Sequence, residues 1–567
     1  MSLPRRVTRS VLLSGILFAA ALVFYVLPLH QRRPSPIDLI VEDLDLPPPS
    51  FDWSTVGFFH HIPDLDKALP REPPRALPRI QADAASFPPA PESEARRRAV
   101  RDAFQRSYGA YRKHAWMRDE LVPVAGGGRD TFGGWAATLV DCLDTLWIMG
   151  LRAEFAEAVA AVGAIDWSRT GIRAANMFET TIRYLGGLLS AYDLSGDRVL
   201  LRKAVELGEM LFRGFDTPNG MPPFWLDFAK ARSGRLVAGS NDASASPCSL
   251  GLEFTRLSQV TGDPKYYAAT DRVTRFLESI QNDTSLPGLW PRMLNFRDLR
   301  AVEQAYTLGA GADSLYEYLP KMHALLGGVD GVYEKLFRGS MDAAVRSLLF
   351  RPMLPDDAHA DADDADEEEE EKEGKRQEKK EEKAQDVDIL FSGEFAGGAR
   401  QSSSQHLTCF AGGMFGLGGR LFSDAAYVSL GARLARGCAW AYRQFPTGIM
   451  PELFSMLSCE TLDADAACAW DEDRWRRAAD PGLPRGFTHA RDRTYLLRPE
   501  AIESVFVMHR ITGDAEWLAR AWDMFGSIMN ATTTDLANSA IRDVTVEGPT
   551  EKTDSMEVGT TKQHSTP

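Results

Sequence analysis

An all-α fold, built as a ring of helix pairs, is the architecture the sequence predicts, and three observations carry it. A unit recurs in which a carboxylate opens an apolar, helix-like segment that stops at a small turn ending in Gly-Asp. Phe178-Glu179-Thr180-Thr181-Ile182-Arg183 leads to Leu194-Ser195-Gly196-Asp197, Leu252-Glu253-Phe254 to Val260-Thr261-Gly262-Asp263, and Arg498-Pro499-Glu500-Ala501-Ile502-Glu503 to Ile511-Thr512-Gly513-Asp514. The turn positions Asp197, Asp263 and Asp330 follow one another at about 66 residues, a period that fits either a solenoid or a closed toroid. The opening helices are also apolar nearly all round, so they must be surrounded by other helices. Their acidic ends then need a shared cavity, because an unpaired buried carboxylate costs several kcal/mol. That requirement favours the toroid.

The N-terminus precedes this pattern. Residues 11–29 are uncharged, unbroken and long enough to cross a bilayer at about 1.5 Å per residue, and Arg5, Arg6 and Arg9 stand before them. This predicts a cytoplasmic tail over 1–10, a transmembrane signal anchor over 11–29 and a luminal remainder. The rival is a cleaved signal peptide, but the apolar core exceeds the usual length of about 7 to 15 residues and no small-x-small site clearly follows. Residues 30–95 are rich in Pro and lack sustained periodicity, which predicts an extended stem holding the globular part off the membrane.

From 96 to 557 the pattern is helical. Inner segments are predicted at 139–150, 179–195, 249–261, 312–327, 407–421 and 499–512, with outer amphipathic partners at 199–215, 264–280, 332–350, 424–445 and 515–530. One stretch interrupts them. Residues 356–386 carry 16 acids against 6 basic residues and almost nothing apolar, so they are predicted to be a disordered surface insertion. Their Asp-Ala-Asp pattern lacks the Gly and the terminal Glu spacing of an EF-hand.

Composition excludes some classes. With 44% hydrophobic residues the chain can bury a large core, and a net charge of -15 without any basic helical stripe argues against nucleic acid as a partner. Six cysteines in a luminal chain of this length do not make a disulfide scaffold, although one or two bridges are expected there. Sequons at Asn282 and Asn530 are compatible with luminal exposure.

Paired carboxylates at one cavity are the equipment of glycosidic cleavage. One acid protonates the leaving oxygen while a second activates water on the opposite face of the sugar. A first-turn acid also interacts with the helix dipole, which alone accounts for many single instances. Several inner helices doing so together crowd like charges at one mouth, which function must compensate. Phe178, Phe254, Tyr316 and Trp225 lie near the same openings and could stack on sugar rings, core packing being their ordinary alternative.

Five ordered blocks carry a resemblance. They are Gly134-Trp135 with Leu139-Val140-Asp141-Cys142-Leu143-Asp144-Thr145-Leu146; Phe178-Glu179-Thr180-Thr181-Ile182-Arg183-Tyr184-Leu185-Gly186-Gly187; Ala312-Asp313-Ser314-Leu315-Tyr316-Glu317-Tyr318-Leu319; His406-Leu407-Thr408-Cys409-Phe410; and Tyr495-Leu496-Leu497-Arg498-Pro499-Glu500-Ala501-Ile502-Glu503-Ser504. With these, the chain resembles the class I α-mannosidases, glycoside hydrolase family 47, and looks most like fungal members of the secretory pathway.

The resemblance implies an (αα)7 barrel and an inverting exo-hydrolase removing terminal α1,2-linked mannose from high-mannose N-glycans on glycoproteins. It places the chain in the endoplasmic reticulum or Golgi membrane. Glu179 matches the family's general acid, Glu500 its base, and Asp313 the third essential carboxylate. Arg183, Glu253, Phe254, Glu317, His406, Arg498 and Glu503 match residues lining the sugar site, and Cys409 and Cys438 match the family's disulfide.

The resemblance also implies Ca2+, and here the chain departs. Family members continue past Asp554-Ser555-Met556-Glu557 into a seventh inner helix and then an Asn-Thr-Glu-type motif whose Thr binds the ion. Residues 558–567 are polar, lack apolar helical periodicity and offer no match to that ligand. The expectation is a ring whose seventh inner helix and calcium ligand are missing, as from a truncated or mis-spliced gene. Such a ring exposes apolar flanks on its first and sixth inner helices and predicts poor folding or lost activity. A catalytically dead or lectin-like relative, binding mannose glycans on misfolded glycoproteins, is the alternative function.

Overall fold

The computed structural model describes residues 44–87, 91–355 and 388–556. The anchor at 11–29, the acidic insertion and the tail from 557 onward therefore lie outside the described residues. Among the described residues, no helix is long and apolar enough to cross a membrane.

Among the described residues, six inner helices follow one another around the ring, each packed on the next. They are Ala137–Asp141 continued by Leu143–Ile148; Met177–Glu179 continued to Ser195; Ala245–Cys248 with Gly251–Thr261; Asp313–Leu325; His406–Cys409 continued by Phe410–Leu421; and Glu500–Thr512. Each is backed by an outer helix, at Arg152–Gly163, Arg198–Phe212, Lys265–Ile280, Val332–Ser347, Ala425–Arg443 and Glu516–Thr532. A further helix, Ser93–His114, lies outside the ring between the last and first outer helices. Its Arg96 stacks over Trp522 and its Arg112 pairs with Glu157.

The recurring Gly-Asp is a hinge of two caps. Gly196, Gly262 and Gly513 end their inner helices in the left-handed region, at φ of 71°, 72° and 82°, where a Cβ would be strained. The Asp that follows caps the outer helix, Asp197 accepting the N–H of Val199 at 2.9 Å and Asp263 that of Lys265 at 3.2 Å. Close approach within a pair needs glycine too. A Cβ on Gly431 of the fifth outer helix would stand 2.7 Å from the Gly412 carbonyl of its inner partner.

Two features differ from the all-helical expectation. The links from outer helix to next inner helix are short antiparallel ribbons, such as Ala174–Asn176 with Trp225–Asp227 and Ser403–Gln405 with Leu453–Met456 and Phe487–Asp492. Strands of two to six residues leave too little alternation to stand out from loop sequence. The second difference is the Pro-rich segment. It is extended as expected, yet residues 44–87 lie against the ring rather than standing off it. Leu46 packs on Gly163, and Trp53 is buried beside Phe228. Asp216 accepts the N–H of both Phe59 and His60, and Lys67 pairs with Asp271. Arg75 N–H donates to Gly327 O, Arg420 donates to the carbonyls of Arg79 and Ile80, and Ala82 N–H donates to Arg510 O. The segment thus visits the helix pairs in chain order, starting at the C-terminal ends of the first two outer helices and finishing at the C-terminal ends of the last three inner helices.

The first and sixth inner helices each carry an exposed apolar residue. Ile148 is 72% exposed and Phe506 60%. The expected bridge also forms: Cys409–Cys438 ties the fifth inner helix to its outer partner, and Cys459–Cys468 closes a second, shorter loop.

Because Trp53 is 3% exposed, Trp53→Ala is expected to lower the unfolding free energy by about 3 kcal/mol in a urea titration. An unchanged midpoint and slope would show that the segment contributes nothing to the core.

Candidate active site

Inner helices that are enclosed along their length offer only their ends, and the acids stand at the N-terminal ends. Glu179 follows a cap in which Asn176 Oδ1 accepts the Glu179 N–H at 3.0 Å, and a stretch of π-helix, Thr180–Leu185, begins at the next residue. Such widened turns recur at functional sites because they re-aim side chains. Arg183, one turn on, donates to Glu179 Oε2 at 2.8 Å and stands 3.7 Å from Asp141 on the first inner helix. Burial pushes Asp141 up to about 7 despite the Arg183 charge.

The third and fourth inner helices contribute a connected set. Glu253 lies against Gly186 of the second helix, accepts the Tyr318 hydroxyl at 2.9 Å, and is pushed to about 7 by burial. Asp313 accepts the N–H of Ser314 at 2.8 Å, yet burial still raises it to about 6. Glu317 receives Lys321 at 2.5 Å. Asp313, Glu317 and Lys321 are four residues apart in turn, so they form one polar stripe on an otherwise apolar helix.

The sixth helix faces this stripe. Leu497 adopts φ of 62°, a strained conformation for a branched side chain, immediately before Arg498 and Pro499 turn the chain into the helix. Arg498 pairs with buried Glu452 and stands 3.8 Å from Glu500. Burial raises Glu500 to about 8, with Glu452 and Glu503 adding like charge, while the Arg498 cation opposes them. Among the described residues, its Oε2 is buried without a hydrogen-bond partner. The Arg498 charge also acts on Asp313, and Glu317 and Lys321 on Glu503, so the fourth and sixth helices share one polar space. His406 is fully buried behind it, its Nε2 2.8 Å from the Tyr442 hydroxyl, and burial followed by the Arg498 charge drops it to about 3. It is therefore a neutral imidazole at any working pH.

Nine of the ten expected residues thus join two linked groups, one around Glu179 and Arg183, the other around Asp313, Arg498 and Glu500. Phe254 is the exception. It has no exposed surface and packs edge-on between Phe215 and Tyr266, so it fills the core instead of facing the shared polar space. The ring of Tyr316 is equally buried. Asp141, Tyr318, Lys321 and Glu452 were not singled out as site residues. The stripe at 313, 317 and 321 was a readable signal for Lys321, whereas Glu452 sits in the bend just before the Leu453–Met456 strand and has no sequence signature.

Calcium takes six to eight oxygen ligands. Among the described residues there is no group of three or more His, Cys, Asp or Glu that could hold a metal.

Raised carboxyl pKa values set the pH dependence of stability. A carboxyl that ionises near 4.5 unfolded and about 8 folded holds a proton only in the folded chain between those values, so stability falls as pH rises through that window. Glu253, Asp141 and Asp313 act in the same direction over narrower windows, whereas the His406 contribution is lost as pH falls from 6.5 toward about 3. Glu500→Gln is therefore expected to match the parent at pH 5 and exceed it by at least about 1 kcal/mol at pH 9, read by urea titration. Equal stability at pH 9 would place the buried charge elsewhere.

Comparison with known proteins agrees with this geometry. A "probable mannosyl-oligosaccharide alpha-1,2-mannosidase 1B" of Aspergillus clavatus is 29% identical over 89% of this chain and 88% of its own length. The human endoplasmic reticulum mannosyl-oligosaccharide 1,2-alpha-mannosidase is 32% identical over 80% of this chain and 59% of its own. The solved alpha-1,2-mannosidase from Trichoderma reesei superposes with a TM-score of 0.68 at 28% identity, covering 82% of this chain and 90% of that one. Residues 103–558 match the model of glycosyl hydrolase family 47, and the chain belongs to that family.

Proposed function

We propose that the chain is an inverting exo-hydrolase that removes terminal α1,2-linked mannose from high-mannose N-glycans of secretory-pathway glycoproteins. The observation that supports this best is the gathering of Glu179, Asp313 and Glu500 at the N-terminal ends of inner helices in a chain of this family. In the step proposed, water attacks the anomeric carbon and gives a proton to Glu500, while the C–O bond to the glycan breaks and its oxygen takes a proton from Glu179. Mannose leaves with inverted configuration. Asp313, coupled to Arg498, holds the charge balance between the two. Arg183, Glu253, Glu317, Arg498 and Glu503 offer hydrogen-bonding groups to sugar hydroxyls, and His406 supports the Arg498 side from beneath.

Proton placement adds a condition. Without substrate, burial keeps a proton on Glu500 below about pH 8, and Arg183 donates to Glu179 Oε2 at 2.8 Å. Substrate binding must free Glu500 of that proton before it can act as the base.

The luminal topology drawn from residues 1–29 is part of this proposal. Asn282 and Asn530, the sequon residues, are both exposed, which suits glycosylation in the endoplasmic reticulum or Golgi lumen.

Incubation with a high-mannose oligosaccharide is expected to release free mannose. Glu179→Gln, Asp313→Asn and Glu500→Gln should each lower kcat by a factor of about 100 to 10,000. The kcat/KM profile should rise with pH through about 8 and lose that limb in Glu500→Gln. A limb that falls there instead makes Glu500 the proton donor, and glycan binding without release makes the chain lectin-like.

A further inference from the structure

The cleavage centre accounts for the terminal mannose, whereas the remainder of a branched glycan has to rest on the rim around it. We propose that Trp225 is a specificity-determining residue of this rim, its indole stacking on a pyranose ring of the glycan beyond the mannose being removed. The inference rests on the hydrolytic reading above and deepens it by naming what distinguishes a large glycan from a small mannoside.

The placement of Trp225 carries the argument. It is 54% exposed, while Leu226 beside it has no exposed surface, so strand alternation turns the indole outward. Single exposed apolar side chains are common, and exposure alone would mean little. What singles out Trp225 is its partner across the ribbon. It pairs directly with Asn176, and side chains so opposed share one face, with Cβ atoms about 4.5 to 5.5 Å apart. Asn176 is the residue whose side chain caps the helix at Glu179.

The next backbone link runs the same way, Met177 N–H donating to Phe224 O at 3.1 Å. The indole is therefore fixed to the piece of chain that aims Glu179. Phe224 meets it edge-on at 5.4 Å, and an Arg173–Asp227 pair at 3.1 Å ties the other end of the ribbon. Of the other aromatics near these openings, Phe254 and Tyr316 are buried in the core and unable to present a face to sugar, and Phe178 is half-buried. A flat indole suits the C–H face of a pyranose because it demands no hydrogen-bond direction, so it can accept any of several mannose residues in a branched ligand.

The test uses the full chain with two substrates, an intact high-mannose oligosaccharide and the disaccharide mannosyl-α1,2-mannose. Trp225→Ala is expected to lower the oligosaccharide-to-disaccharide ratio of kcat/KM by about threefold to tenfold, through KM of the oligosaccharide, and Trp225→Tyr to restore most of it. An unchanged ratio, or a loss carried by kcat on both substrates, overturns the proposal. Calorimetric titration with the same oligosaccharide reads the contact without turnover. If the parent chain releases no mannose from either substrate, the hydrolytic reading fails, and the titration still decides: binding weakened threefold or more by Trp225→Ala retains the stacking role, and equal binding removes it.

Discussion

An inner helix enclosed by protein along its whole length can reach solvent only at its ends. The rest of the structure depends on this constraint. The six inner helices of the described residues are largely apolar along their flanks, which are open only at such positions as Ile148 and Phe506, so the charged groups gather at the two faces of the ring. The N-terminal ends take the carboxylates, whose charge the helix dipoles favour. The C-terminal ends take the Gly-Asp hinges, where φ of 71° at Gly196 and the Asp197 cap turn the chain outward within a few residues. Chemistry and construction are thus assigned to opposite faces, and the 44–87 segment crosses from the C-terminal ends of the first two outer helices to the hinge ends of the last three inner helices.

Gathering acids in one buried space carries a cost that the structure offsets with few cations. Arg183 serves Glu179 and Asp141, Lys321 serves Glu317, and Arg498 serves Glu452 and Glu500. Where the compensation is incomplete, burial wins and the carboxyl holds its proton, as Glu500 and Glu253 show. A site able to donate and accept protons near neutral pH follows from that shortfall.

The ring, its six inner helices and their order were legible because a helical period sustained over ten or more residues, closed by Gly-Asp, is a strong signal. The three carboxylates were legible for the same reason, since each opens such a helix. The ribbons between pairs were not, because pairing of two or three residues is decided by partners distant in sequence. Residues 44–87 read as a free stem because Trp53, Phe58 and Ile62 are buried or half-buried at irregular spacing among prolines, which no periodicity test detects. Phe254 was misplaced for a different reason. A residue beside Glu253 shares its position along the chain but not its direction, and one step around a helix turns the ring from the mouth into the core. Glu452 is the converse case, a site residue brought in by the bend before a ribbon strand and recognisable only through its pairing with Arg498.

The central claim is that two carboxyl groups on separate inner helices act from opposite faces of one sugar. The configuration of the first product tests this most directly. Proton NMR during turnover of a high-mannose oligosaccharide should show β-mannose appearing first and relaxing to the α-anomer by mutarotation. Initial release of α-mannose would mean retention through a covalent intermediate and would contradict the account.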